Sequence, residues 1–306
     1  MAGMSKDEIR EALTGPVASV STPFSRDGSL DFDGLRNFID FVIAGGTKTV
    51  LLTYGDSLYS LLTDDEVAEV TRVTVEHTAG RALVTAACNG WATPKAVEFG
   101  QYSRELGADV QMLMPPDWAR SATVETFVEH YRAVAEHIPV MIVTNVFAHW
   151  PVAEALKVLE ILCDTEPNLV AIKDDICGPF ARKMSLLVHE KWAVVSGGQK
   201  QNHLDNLPYG CDGYLSTFTL FKPEIAQKYW RAIVADDMPT AVGVIRDYDL
   251  PLFDYIGGLT GGFDAGVHGT LELFGVARRW RRNPYYSLSD EEMEQLADFY
   301  KSLGLL

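Results

Sequence analysis

The chain has 306 residues, 47% of them hydrophobic and 22% charged, a globular balance and long enough for one large α/β barrel or two ordinary domains. A formal net charge of −16 at pH 7 argues against nucleic acid or an anionic membrane as a partner. No apolar run approaches the ~18 residues of a membrane span, and the opening "MAGMSKDEIREALTG" is charged and lacks the apolar stretch of a secretory signal.

Short β-branched runs alternate with longer amphipathic stretches, the signature of parallel β/α units. Residues 16–23, "PVASVSTP", predict the first strand, and 31–46 a helix with Asp31 at its start and glycines at its end. The second strand is 49–53, followed by a helix over 63–80 that opens with a capping box of Thr63 and Glu66. Strand three, 82–87, leads to a helix entered through Thr93-Pro94, and strand four, 109–114, to one near 121–137. Strand five, 140–145, precedes a helix over 152–163, and strand six, 169–175, one over 179–190. Strands seven and eight fall at 192–198 and 213–217, each with a helix after it. Units of about thirty residues without a composition break match one closed (β/α)8 TIM barrel better than two doubly wound domains. The barrel and a short N-terminal helix take residues 1–237. Residues 238–306 form a C-terminal helical extension whose last helix starts at Ser289 with an N-cap pattern. "GGLTGG" (257–262) follows no strand, so it reads as a helix–helix connection and not as a phosphate loop.

The cysteines, Cys88, Cys163, Cys177 and Cys211, are scattered, with no C-x-x-C and no histidine at ligand spacing. They read as reduced thiols of a cytoplasmic protein. The histidines show no metal spacing either, and His268, on a late helix, reads as packing or surface.

Chemistry in such a barrel gathers where the strands end, at their C-terminal face. The strand ends offer Thr53, Tyr54, Gly55, Asp56 and Ser57; Cys88 and Asn89; Asp117 and Trp118; Thr144 and Asn145, with His149 beyond; Lys173; Ser196 and Gly197; Ser216 and Thr217. Only Lys173 is a strong nucleophile on a rigid element. It closes the apolar run of "LVAIKDD" (169–175), where a charge is costly. Two readings stand. It is a structural lysine that snorkels to water or pairs with Asp174 or Asp175, or it is an amine kept partly neutral for chemistry. Strand alternation sends Asp174 to the opposite side, which makes it a poor partner. Desolvation in a low-dielectric mouth favours the free amine of a lysine. A free amine attacks a ketone to give a carbinolamine and then an iminium, an electron sink for cleavage of a neighbouring bond. Thr53, Tyr54 and Ser57 either bind a carboxylate through hydroxyls and N–H groups of a tight turn at Gly55, or belong to an ordinary βα loop.

From Gly15 to Leu305 these strand ends, in this order, resemble the dihydrodipicolinate synthase / N-acetylneuraminate lyase family of class I aldolases. "STPFSRDGSLDFDGL" is similar to the family's Thr-Pro-Phe…Asp-Gly opening, and "LTYGDSLYSLLTDDE" to its Gly-Thr-Thr-Gly-Glu…Leu-Thr-x-x-Glu motif. "LVAIKDD" resembles the Schiff-base strand, and "VVSGGQKQNHLDNLPYGCDGYLST" the Ser-Gly-Asp…Gly-x-x-Gly segment of strands seven and eight. The resemblance implies a Schiff-base-forming lyase acting on pyruvate or a 2-keto-3-deoxy sugar acid, either an aldolase or a dehydratase. Lys173 is then the nucleophile, and Thr53 and Tyr54, with Ser57, hold the carboxylate. Thr144 and Tyr54 share proton relay, and Asp117, Trp118, His149, Ser196 and Gly197 contact or shape the rest of the substrate. No metal or organic cofactor is implied, since the iminium is itself the electron sink. The implied partners are a small 2-oxo acid and further copies of the chain, as a homo-tetramer or homo-dimer.

The departures carry information too. The family's strand-five tyrosine, which shuttles protons, corresponds to Thr144 in "VTNVFAHW". An aliphatic hydroxyl is a weak acid, and loss of a positioned acid–base group typically costs ~10²–10⁴ in rate. Tyr54 either supplies the missing phenol or merely fills space. The arginine that grips the second substrate in dihydrodipicolinate synthase corresponds to His149, and its paired tyrosines after strand four to Asp117-Trp118; the motif's final Glu is Asp56. These changes argue against dihydrodipicolinate synthase itself. They also leave open a family member without catalysis that binds a 2-oxo acid as a sensor or regulator.

Overall fold

Eight strands, each buried along its whole length, pair in chain order and parallel into a closed barrel in the computed structural model, which describes residues 3–306. Residues 1 and 2, with which the expected barrel segment begins, lie outside the described residues. The strands are β1 Gly15–Ser19, β2 Thr49–Leu51, β3 Leu83–Ala87 and β4 Val110–Leu113. They continue as β5 Val140–Val143, β6 Leu169–Asp174, β7 Ala193–Ser196 and β8 Gly213–Leu215. Gly15 against Gly213 closes the ring. Burial on both faces explains why the strands read as continuous apolar runs without alternation. Several are shorter than expected, because the polar residues after β1, β2 and β8 leave the ladder to build loops at the open end.

Helix α1, Lys6–Leu13, plugs the opposite end. Its Ile9 and Leu13 are buried, and Thr49 Oγ1 donates to the carbonyl of Ala12 at 2.8 Å. The guanidinium of Arg10 caps the carbonyls of His189 and Trp192 ahead of β7. The crossover helices are α2 Phe32–Ala44, α3 Asp64–Thr78, α4 Thr93–Leu106, α5 Val124–Ala135 and α6 Val152–Thr165, then α7 Gly178–Val188, α8 Gln199–Asn206 and α9 Pro223–Val234. Asp31 caps α2 through the Gly34 N–H at 2.9 Å, and Thr63 and Glu66 exchange both capping-box bonds at the start of α3.

After the barrel come α10 Met238–Val244, a π-helical turn Ile245–Asp249, α11 Leu250–Gly257, α12 Gly262–Leu273 and α13 Asp290–Ser302. "GGLTGG" links α11 to α12, and Ser289 caps α13. The π turn has a local cause. Pro251 has no N–H for the carbonyl four residues back, and the N–H of Leu250 reaches Ile245, five residues back. This widened turn carries Asp249, whose carboxylate accepts from Lys200 Nζ of α8 at 2.7 Å. Both side chains are essentially inaccessible, at 0% and 1%. Ser216 Oγ at 2.9 Å and the ring of Phe218 at 4.9 Å complete the ammonium's surroundings. The extension is therefore tied to the barrel by an internal ion pair. Among the described residues no helix is long and apolar enough to cross a membrane.

Burial of ionisable groups generates two stability predictions. Asp249→Ala strands the ammonium of Lys200, and should cost about 3–5 kcal/mol in urea melts. The double change Lys200→Met with Asp249→Leu should recover most of that loss. Burial also holds three histidines low, His130 and His203 to about 4 and His268 to about 3, from an ordinary 6.5. The unfolded chain thus binds more protons than the folded one below pH ~6.5, so stability falls as pH drops towards 4. The thermal midpoint should decline from pH 7 to pH 5, and His268→Leu should flatten that decline.

Candidate active site

Lys173 is the last inward-facing residue of β6, beside Val143 of β5 and Val195 of β7 in the ladder. The lysine is 7% exposed and borders a cavity of about 490 Å³ at the C-terminal mouth of the barrel. Its amine pairs directly with the carboxylate of Asp175, two residues on. Of the two aspartates considered from sequence, Asp175 is the partner. The pair does not close the cavity, since Lys173 and Asp175 both border it.

Asp174 points the other way and is fully buried. Its carboxylate accepts from Thr144 Oγ1 at 3.0 Å, Asn202 Nδ2 at 3.1 Å and the N–H groups of Ile176 and Cys177, each at 3.2 Å. Burial pushes its pKa up, and these donors oppose that shift. The bonds brace a sharp turn into α7, where Cys177 has φ +65° and ψ −176°, a region that essentially only glycine tolerates. Thr144 adds a second brace by accepting from the Asp175 N–H at 2.8 Å.

Thr144 therefore serves the loop and does not face the amine, contrary to its expected place in a proton relay. The reason is one extra residue in β6. Val140 pairs with Leu169, but Met141 already pairs with Ala171, leaving Val170 unmatched. Without that bulge Thr144 would stand level with Lys173; with it, Val143 does. The apolar side chain of Val143 borders the cavity beside Lys173.

Across the cavity, the loop after β2 is knitted to β1. Thr53 Oγ1 accepts from the Asp56 N–H at 2.9 Å, and Ser57 Oγ accepts from the Thr53 N–H at 3.0 Å while donating to the Val20 carbonyl at 2.6 Å. Thr53, Tyr54, Gly55 and Asp56 border the cavity. Ser57 is fully buried behind them, so it holds the turn and is not placed to touch a ligand. Ser196 is likewise withdrawn: 1% exposed, it donates to the Gln199 carbonyl and accepts from Asn202, each at 3.1 Å. Its neighbour Gly197 does border the cavity.

A second cavity of about 520 Å³ shares Tyr54, Met114 and Asn145 with the first. Asp117 and His149 border it. Trp118 does not; it is 88% exposed. The turn from Trp118 to Ser121, with Ala119 and Arg120 both left-handed, directs the indole outward. Trp150 lies at this cavity instead, its Nε1 donating to Asp117 at 2.8 Å. Arg120 also borders it, engaged by Glu154 at 2.9 Å.

Other cavity residues escaped sequence reasoning. Gln199 turns its carboxamide oxygen to the Thr217 N–H at 2.9 Å, which leaves the NH2 end as a donor. Its only signal was the glycine pair before it. Phe253 of α11 and Phe263 of α12, near-parallel with centroids 5.8 Å apart, reach the cavity from the C-terminal extension. They flank the "GGLTGG" connection, which makes sense only once that segment folds over the barrel mouth. Cys88, one of the strand-end residues read from the sequence, also borders the cavity, and burial pushes its thiol up to about 11, so it stays uncharged. No group of three His, Cys, Asp or Glu side chains among the described residues could hold a metal ion.

Comparison with known proteins agrees with this architecture. The chain is 34% identical over 164 residues to the 4-hydroxy-tetrahydrodipicolinate synthase of Aromatoleum aromaticum, covering 53% of this chain and 55% of that protein. Only about half of that relative's length is thus spanned. It is 31% identical over 241 residues to the enzyme of the same name from Psychrobacter arcticus, covering 77% of this chain and 78% of that one. The same fold is found in YagE, a prophage protein of E. coli K12 of the dihydrodipicolinic acid synthase family, solved in complex with pyruvate. Its TM-score is 0.82 at 24% identity, covering 96% of this chain and 99% of that one. The model of the dihydrodipicolinate synthetase family matches residues 12–303, and the chain accordingly belongs to that family.

Proposed function

We propose that the protein is a Schiff-base-forming lyase that condenses Lys173 with a 2-oxo acid, pyruvate or a 2-keto-3-deoxy sugar acid, as an aldolase or dehydratase. The family is one of aldolase-type lyases. The observation that carries the reading is an amine on a rigid strand at the edge of a cavity of about 490 Å³, opposite a turn rich in donors. In this reading Lys173 attacks the ketone. The hydroxyl of Thr53 and the backbone N–H groups of Tyr54 and Gly55 hold the carboxylate, and the Gln199 NH2 group offers a further donor. The Tyr54 phenol, at the junction of the two cavities, protonates or deprotonates the substrate beyond the ketone. Asn89, Asp117 and His149 receive the distal hydroxyls, while Phe253 and Phe263 cover the reacting centre.

We place the activity outside dihydrodipicolinate synthase proper. His149 stands where that enzyme carries an arginine for its second substrate, and Arg120, the cation in the distal cavity, is already held by Glu154. The family resemblance supports a homo-tetramer or homo-dimer, which sedimentation would test. A second reading, a 2-oxo acid binder without turnover, is favoured by one observation: Thr144, at the position of the family's phenol, is bonded to Asp174, and the β5 residue level with Lys173 is Val143, which offers no acid.

Incubation with pyruvate and borohydride should leave a carboxyethyl group on Lys173, and Lys173→Ala should abolish it. Absence of an adduct with any 2-oxo acid excludes the lyase; an adduct without turnover of any keto-deoxy acid supports the binder. Removing the hydrogen bond of Thr53 by Thr53→Val should weaken substrate binding by roughly 10–100-fold, the worth of a bond to a charged group. Tyr54→Phe should lower kcat by about 10²–10⁴ and leave binding nearly unchanged.

A further inference from the structure

Iminium formation needs more than a nucleophile. The ammonium must shed two protons, the ketone oxygen must gain two, and both events occur within reach of Nζ. In this site the residue level with Lys173 on β5 is Val143, and the hydroxyl of Thr144 is committed to Asp174 and the loop N–H groups. Tyr54 lies across the cavity, on the loop after β2. One titratable group touches the amine directly: Asp175.

Its placement is specified by four separate features. The turn that presents Asp175 is braced from beneath by Asp174 and Thr144. The strained backbone at Cys177 shows that the surrounding structure over-determines this turn. The carboxylate occupies space that exists because residue 197 has no side chain: a Cβ there would overlap Asp175 Oδ1 and come within 2.9 Å of Lys173 Nζ. Gly197 is held in that position by its N–H, which donates to the Asp174 carbonyl at 2.7 Å. Finally, the Asp175 side chain is 26% exposed against 9% for the lysine, so it can exchange protons with solvent from the cavity rim. A merely stabilising ion pair needs none of this access, and partly exposed pairs contribute little.

We propose that Asp175 is the proton-transfer residue for iminium formation at Lys173. This rests on the Schiff-base reading above. In the resting pair the amine is an ammonium and Asp175 a carboxylate. Transfer of one proton gives free amine and carboxylic acid, a neutral pair that desolvation by an incoming substrate favours over the charged one. The nitrogen lone pair then bonds to the ketone carbon. The C=O π pair moves to oxygen, which takes the proton from Asp175, giving a carbinolamine with a positive nitrogen. The carboxylate removes one proton from that nitrogen and delivers it to the hydroxyl. Water leaves with the C–O bonding pair, and the nitrogen lone pair closes the C=N bond. The three protons of the ammonium end as two on water and one on the iminium, and Asp175 returns as carboxylate.

The test follows the rate of borohydride-trapped adduct formation with pyruvate in a single turnover, on wild type, Asp175→Asn and Asp175→Ala. Folding is checked by circular dichroism. The adduct should form in all three, and its rate should fall about 10²–10⁴-fold in both variants. Added formate should restore part of the rate in Asp175→Ala, where the carboxylate's space is vacant, and leave wild type unaffected. Trapping in Asp175→Asn as fast as in wild type, or faster because a restraining ion pair has gone, overturns the proposal while leaving the Schiff-base reading intact. No rescue of Asp175→Ala at any formate concentration overturns it as well. A wild-type protein that forms no adduct at all removes the Schiff-base reading itself.

Discussion

Strand alternation at the end of β6 separates two adjacent charges that could not share one side of a buried ribbon. Lys173 points into the barrel mouth, and Asp174 into the layer between β6, β7 and the surrounding helices. Each then finds a different environment: the amine a cavity, the carboxylate a closed set of donors. A strand carrying an unpaired charge on either face would be heavily destabilised. The loop between β6 and α7 answers both demands at once, supplying Asp175 to the lysine and its own N–H groups to Asp174.

The barrel was legible because the physical cause of each element is local. Continuous apolar runs mark strands buried on both faces, and Asp31, Thr63 and Ser289 mark helix starts through bonds spanning three residues. Lys173 was legible for the same reason, as a charge where the pattern forbids one. What failed was long-range. The unmatched Val170 is one residue among apolar neighbours, and nothing in the order of letters reveals that β5 and β6 slip past each other there. That single offset moved the expected relay from Thr144 to a valine. Ser57 and Ser196 look like ligand contacts from their position at strand ends, yet their hydroxyls are consumed by backbone groups. Trp150 takes the place expected for Trp118, whose indole the two left-handed residues after it turn outward.

The C-terminal segment is more than a trailing bundle. Lys200 and Asp249 lock it to the barrel from inside, and Phe253 and Phe263 place aromatic surface over the mouth. Asp249, Phe253 and Phe263 all lie within residues 238–306, outside the expected catalytic motifs, so sequence reading treated that segment as scaffold. The π turn joins the roles: the same local widening that aims Asp249 inward precedes the helix that delivers Phe253.

The bare α-carbon at position 197 has an evolutionary consequence. Two positions just past the ends of neighbouring strands, 175 and 197, are sterically coupled. A lineage that acquired even a methyl group at 197 would first have had to shorten or lose the acid at 175, and a lineage gaining the acid would have needed the glycine beforehand. Among kindred sequences an acid at 175 should therefore be confined to branches where the glycine at 197 is already in place.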